Sequence, residues 1–172
     1  MMGKDDLVAA MGLECDIVRH LYEKLPRANW DATLAYRPTP GQRSTLELLK
    51  YLSYCGIGPS RACLEGNWDA WKAAVARAED LHPDEFGAVM DRQKRDIATL
   101  LAPLTDQDLA TRRAKNPLGK EMPLGHALYD MPVRFLIAYR MQLFLYARAL
   151  GADVWTPDCW YGITMERPQK AR

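Results

Sequence analysis

The chain has 172 residues, 48% of them hydrophobic and 26% charged, with a net charge of +1. That length supports one domain with a sizeable core, read as residues 1–172, and the charge balance gives no reason to expect nucleic acid as a partner. The opening MMGKDDLVAAMG sets acidic residues before its apolar part, unlike a secretory signal, and no uncharged apolar run approaches the ~20 residues that span a bilayer, so a cytoplasmic protein without a membrane partner is expected.

Leu7, Met11, Ile17, Val18, Leu21 and Leu25 recur at helical spacing and predict a first helix over about 6–25, with Asp5 or Asp6 as N-cap and Pro26 after its end. Residues 26–43 hold Pro26, Pro38, Pro40 and Gly41 and read as an irregular connection. Ser44 followed by Glu47 is a capping box that opens the second helix, STLELLKYLSYC. Gly56, Gly58 and Pro59 should kink or end it, and SRACLEG should resume it. Trp68, Trp71 and Val75 suggest a shorter helix near 68–80.

Pro83 suits the first position of a third long helix, with Asp84 and Glu85 in its first turn. Its inner stripe is Phe86, Val89, Met90, Gln93, Ile97, Leu100 and Leu104. Residues 105–123 are polar and carry Pro117, Gly119 and Pro123, which reads as a loop. A fourth helix spans about Leu124–Leu150, with a kink or late start at Pro132 and Gly151 as its C′ residue. The segment after Gly151 carries Trp155, Trp160, Tyr161 and Ile163. It is too apolar to be free and should pack on the bundle or on a second copy of the chain. No strand pattern and no repeat stands out. The expected fold class is all-α, a four-helix bundle with an extra short helix and an apolar C-terminal tail.

The fourth helix carries the question of chemistry. At about 100° per residue, and taking Phe135 as the reference direction, Tyr139, Gln142 and Tyr146 lie within about 40° of it, as do Leu128 and Met131. Arg134, Arg140 and Arg148 fall about 100° or more away and are expected to form a solvated face. On the second helix Ser44, Leu48, Tyr51 and Cys55 share a face, with Tyr54 at its edge. If that face meets the fourth helix, tyrosines, a glutamine and a thiol converge inside the bundle. They would form either a core polar network or an aromatic-lined pocket, a usual place for a ligand in such folds.

On these residues the chain resembles the DinB/YfiT-like superfamily of four-helix bundles. Its sequence Y-R-M-Q at 139–142, running into LFLYARALG, is similar to that family's Arg-x-Gln ending, and RSTLELLKYL at 43–52 is similar to its second-helix motif. The resemblance implies an up-down-down-up-type topology. It also implies three metal-binding histidines in many members and thiol-dependent transferase or isomerase activity in some. The positions matching the histidine triad are Tyr51, Phe135 and Tyr139. None is histidine, so the open metal position that such chemistry needs loses its basis, and no metal or other cofactor is expected. For Arg140 and Gln142 the resemblance implies a structural role.

Other motifs are sparse. His20, His82 and His126 lie far apart in sequence, and Glu79 with His82 makes only a single E-x-x-H. The four cysteines, Cys15, Cys55, Cys63 and Cys159, form no C-x-x-C pair. They read as buried free thiols, with Cys55 the candidate if one is reactive. The function expected is non-catalytic binding of a small apolar or aromatic molecule, with Tyr51, Tyr54, Cys55, Phe135, Tyr139, Gln142 and Tyr146 as ligand-binding residues and no catalytic residue named. Two alternatives stand beside it: a thiol-dependent transferase or hydrolase, and a purely structural or interaction protein. A homodimer would give the apolar tail its cover.

Overall fold

The computed structural model describes residues 3–168, and four helical segments frame it. Helix α1 (Lys4–Glu23) is followed by a short α2 (Trp30–Ala35), then α3 (Thr45–Leu52), α4 (Ile57–Glu65) and α5 (Asp69–Glu79). After a 3₁₀ turn come α6 (Phe86–Leu101), α7 (Asp106–Thr111) and a two-stranded hairpin of β1 (Arg113–Lys115) and β2 (Glu121–Pro123). The last third holds α8 (Leu124–Leu128), a π turn over Tyr129–Val133, α9 (Arg134–Ala149) and α10 (Thr156–Tyr161). Helix α1 packs on both α6 and α9, α3 packs on α9, and α4 packs on α6, so α1, α6, the α3–α4 pair and α9 ring one continuous core. Among the described residues no helix is long and apolar enough to cross a membrane.

Local chemistry explains the boundaries. Gly3, not Asp5 or Asp6, caps α1, because Asp6 turns back to accept the Gly3 N–H at 3.2 Å. The Ser44–Glu47 capping box forms as expected, with the Ser44 N–H donating to Glu47 at 2.6 Å. Pro132 withholds a backbone donor and the helix widens into the π turn around it. Gly151, at φ +86°, takes the left-handed C′ position after α9.

The break between α3 and α4 is built by a side chain from a third helix. Gln93 of α6, buried, accepts from the Gly56 and Ile57 N–H groups at 3.0 Å each and donates to the Leu52 carbonyl at 2.9 Å. It therefore inserts where the Gly56-to-Leu52 helical bond would close, a recognised cause of a helix kink. A Cβ at Gly56 would meet Gln93 Oε1 at 3.1 Å and Ile97 Cδ1 at 3.0 Å, tighter than ordinary contacts, so the close approach of Gln93 favours glycine there.

Two segments expected to lack structure have it. Within 26–43, Asn29 caps α2 by accepting from the Ala32 N–H at 3.2 Å. Within 105–123, Thr105 and Asp108 form a second capping box that starts α7. The hairpin after it pairs Ala114 with Met122, both buried, and Asn116 closes its turn onto Leu118 and Lys120. Strands of three residues are too short for alternation to show in a sequence.

The expected orientation of α9 is corrected. Its buried residues are Leu136, Arg140, Leu143, Phe144, Tyr146 and Ala147: Tyr146 is inside as expected, but the stripe centres about 100° from Phe135, which is only half-buried, as are Tyr139 and Gln142. Helix α9 is covered on two sides, by α3 and by α1, so more than one face is inside. Arg134 and Arg148 are exposed, but Arg140 is buried. Its guanidinium meets Glu14 of α1 at 3.0 Å, donates to the Cys159 carbonyl and lies over the Trp160 ring at 5.4 Å.

The C-terminal segment docks on α1 through α10. Pro157, Asp158 and Cys159 are buried, and Asp158 reaches His20 of α1 at 2.8 Å. Trp160, Tyr161, Ile163 and Met165 remain exposed.

Candidate functional site

The aromatic cluster forms where α3, α5 and α9 come together. The Tyr51 and Tyr139 rings sit 4.4 Å apart, centroid to centroid, at a tilt of 53°. Tyr54 lies 5.3 Å from Tyr51, and Trp71 of α5 lies 5.3 Å from Tyr54 and 6.2 Å from Phe135. These spacings are those of interacting rings, so the aromatic side chains pack against one another. Arg43, just ahead of α3, lays its guanidinium over Tyr51 at 4.4 Å and over Tyr139 at 5.2 Å.

Gln142 and Tyr146 belong to a neighbouring network. The Gln142 amide donates to the Tyr146 hydroxyl at 2.6 Å, which donates in turn to the Arg43 carbonyl at 2.8 Å. The Tyr36 ring stands edge-on to Tyr146 at 5.5 Å. This network holds the backbone of Arg43 while its side chain covers the two tyrosines.

A groove of about 690 Å³ opens beside the cluster. Arg37, Arg43, Lys50, Tyr51 and Tyr54 line it together with the carboxylates Glu47 and Glu79. Arg37 pairs with Glu47 at 3.3 Å and Lys50 with Glu79 at 3.1 Å. Among the described residues Arg43 meets no carboxylate and contributes an uncompensated cation. Of the residues expected at a ligand, Tyr51 and Tyr54 border this groove. Tyr139 backs Tyr51, Phe135 backs Trp71, and Gln142 and Tyr146 anchor the Arg43 main chain.

Cys55 is a correction to the idea of a reactive thiol. It is fully buried, and its sulfur contacts the Leu52 carbonyl at 3.8 Å. Burial pushes its thiol well above the ordinary range, with nearby Cys15 adding to the shift. The other cysteines are buried too, and burial raises Cys15 and Cys63 to about 12. A thiolate nucleophile therefore has no support at these positions. Burial likewise lifts the Tyr51 phenol well above its usual range, assisted by Cys55, Tyr139 and Tyr54 and opposed by Arg43.

The positions that the resemblance equates with imidazole ligands do not suit a divalent metal. Two phenols and a phenyl ring supply no nitrogen donor, and the Tyr51 and Tyr139 rings pack against each other. Among the described residues no three His, Cys, Asp or Glu side chains converge. Sequence reasoning missed Arg43 and Trp71. The spacing of Trp68, Trp71 and Val75 suggested a short helix, but nothing in the chain order said which part of the bundle it would meet.

No protein-family model and no curated protein matches the chain. Its fold is similar to that of a DinB-like protein, YjoA from Bacillus subtilis, with a TM-score of 0.65 at 18% sequence identity, over 85% of this chain and 92% of that one. The chain therefore has the DinB-like helical-bundle fold.

Proposed function

We propose that this DinB-like bundle is a single-domain, non-catalytic binding protein for a small aromatic molecule, held at the groove beside Tyr51 and Tyr54. One observation carries the reading: Arg43, without a carboxylate partner among the described residues, lies across paired tyrosine rings at the edge of an open groove. Tyr54, edge-on to Tyr51, offers an aromatic surface at the groove, and Arg43 offers a fork for an acid group on the ligand. An aromatic carboxylate satisfies both. The burial of Cys55 weighs against the transferase alternative. Two copies pairing through Trp160, Tyr161, Ile163 and Met165 would cover the exposed tail.

The test is a titration with 2-naphthoate followed by amide NMR shifts. Shifts confined to residues 43–54 and the end of α5, lost in Arg43→Gln and in Tyr54→Ala, are the expected result. Saturable binding that maps elsewhere, or no binding by the folded chain, overturns the reading. Mass measured against concentration checks the pairing, which should weaken in Trp160→Ser with Ile163→Ser.

A further inference from the structure

A second cleft, of about 230 Å³, opens between α4, α5 and α6. Three arginines line it, one from each helix: Arg61 of α4, Arg77 of α5 and Arg92 of α6. Asp96 is the one carboxylate along its wall, so three cations against one anion leave a local charge of +2. Among the described residues none of the three guanidiniums has an ion-pair or hydrogen-bond partner, although Arg19, Arg27 and Arg37 each reach a carboxylate. Ser53 and Tyr54 add hydroxyls at the rim, while Ala74, Ala78 and Leu81 supply a small apolar floor.

Arg77 and Arg92 are exposed and Arg61 is half-buried, so three like charges border one concavity, and a bound dianion would be favoured there. Guanidinium forks match the paired oxygens of a phosphoryl group. A monocarboxylate would leave one positive charge unbalanced. We propose that this cleft binds a small phosphate monoester, its phosphoryl group among Arg61, Arg77 and Arg92 and its short carbon chain over Ala74 and Leu81. The cleft adjoins the Tyr51 groove, the two sharing Tyr54 and Ala78 in their linings, but none of its three arginines lines that groove.

The probe is inorganic phosphate, followed by glycerol phosphate, titrated calorimetrically into the full chain at matched ionic strength with chloride as the reference. The variants are Arg61→Gln, Arg77→Gln and Arg92→Gln, each checked for folding by circular dichroism. Arg95→Gln is the control, an exposed arginine of α6 outside the cleft. One-site binding, weakened about tenfold or more by each cleft variant and unchanged by Arg95→Gln, is the expected result. Glycerol phosphate should bind at least as tightly as phosphate. Absence of saturable binding overturns the proposal, as does an equal loss in Arg95→Gln, which would mark diffuse charge attraction. Binding abolished by Arg43→Gln but indifferent to the cleft arginines would also overturn it, by placing the anion in the other groove.

Discussion

Arg140 and Glu14 face each other across the α1–α9 interface, 3.0 Å apart and both buried. The pair is not isolated. Arg140 also reaches the Cys159 carbonyl and the Trp160 ring, so one guanidinium ties α1, α9 and α10 together. Buried ion pairs offset much of their attraction with the cost of leaving water, yet breaking one from a single side is severe.

The first prediction concerns that asymmetry. Arg140→Leu strands a carboxylate in the core and releases the α10 carbonyl, and should cost about 3–5 kcal/mol in urea unfolding at neutral pH. Glu14→Gln removes the buried charge while keeping the side chain's shape, and should change stability far less. The double variant Glu14→Gln with Arg140→Leu should be more stable than Arg140→Leu alone. A double variant worse than either single change would contradict this account of the pair.

The second prediction follows from the acidity of Glu14. Burial raises its pKa above the ordinary glutamate value, and Arg140 opposes the rise without cancelling it. The native state then holds the proton more strongly than the unfolded chain. The stabilisation from that proton is complete below the ordinary glutamate pKa and is lost as pH rises through the folded value. Glu14→Gln has no proton to lose, so its stability relative to the native chain should improve from acid toward neutral pH. Chemical unfolding of both proteins across that range measures the difference, and a trend in the opposite direction would mean that Arg140 holds Glu14 ionised.

A third prediction tests how the bundle bends at the aromatic site. Gln93→Leu leaves the Gly56 and Ile57 N–H groups and the Leu52 carbonyl without their shared partner. Each orphaned buried group costs about 1–3 kcal/mol, so the loss should reach about 3 kcal/mol, with hydrogen-exchange protection falling first around residues 52–57. A variant that keeps native stability and native protection there would show that Gln93 does not hold the break.

Helix positions were open to sequence reasoning wherever one local rule governed them. The Ser44–Glu47 box, the interruption at Pro132 and the stop at Gly151 each rest on a few neighbouring residues, and each is present, whereas the break expected over Gly56, Gly58 and Pro59 falls at Gly56, with Gly58 and Pro59 inside α4, and is made by Gln93 from α6. Of the stripe expected on α6, Phe86, Met90, Gln93, Ile97 and Leu104 are buried, whereas Val89 and Leu100 are half-buried and Leu101 takes the inner place. The hairpin around Asn116 escaped notice because three-residue strands carry no readable period. At the candidate site Tyr51, Tyr54 and Tyr139 could be suspected from their helix faces, but Arg43 and Trp71 could not, being brought there by a loop and by a separate helix.

Arg140 marks the boundary between the two kinds of knowledge. Local periodicity and end signals determined which residues form helices, because those forces act within about four residues along the chain. Which side of α9 lies inside was decided only when α1 and α10 closed over it. Burial there depends on partners distant in sequence, Glu14 and Cys159 among them, and a pattern along one helix does not contain them.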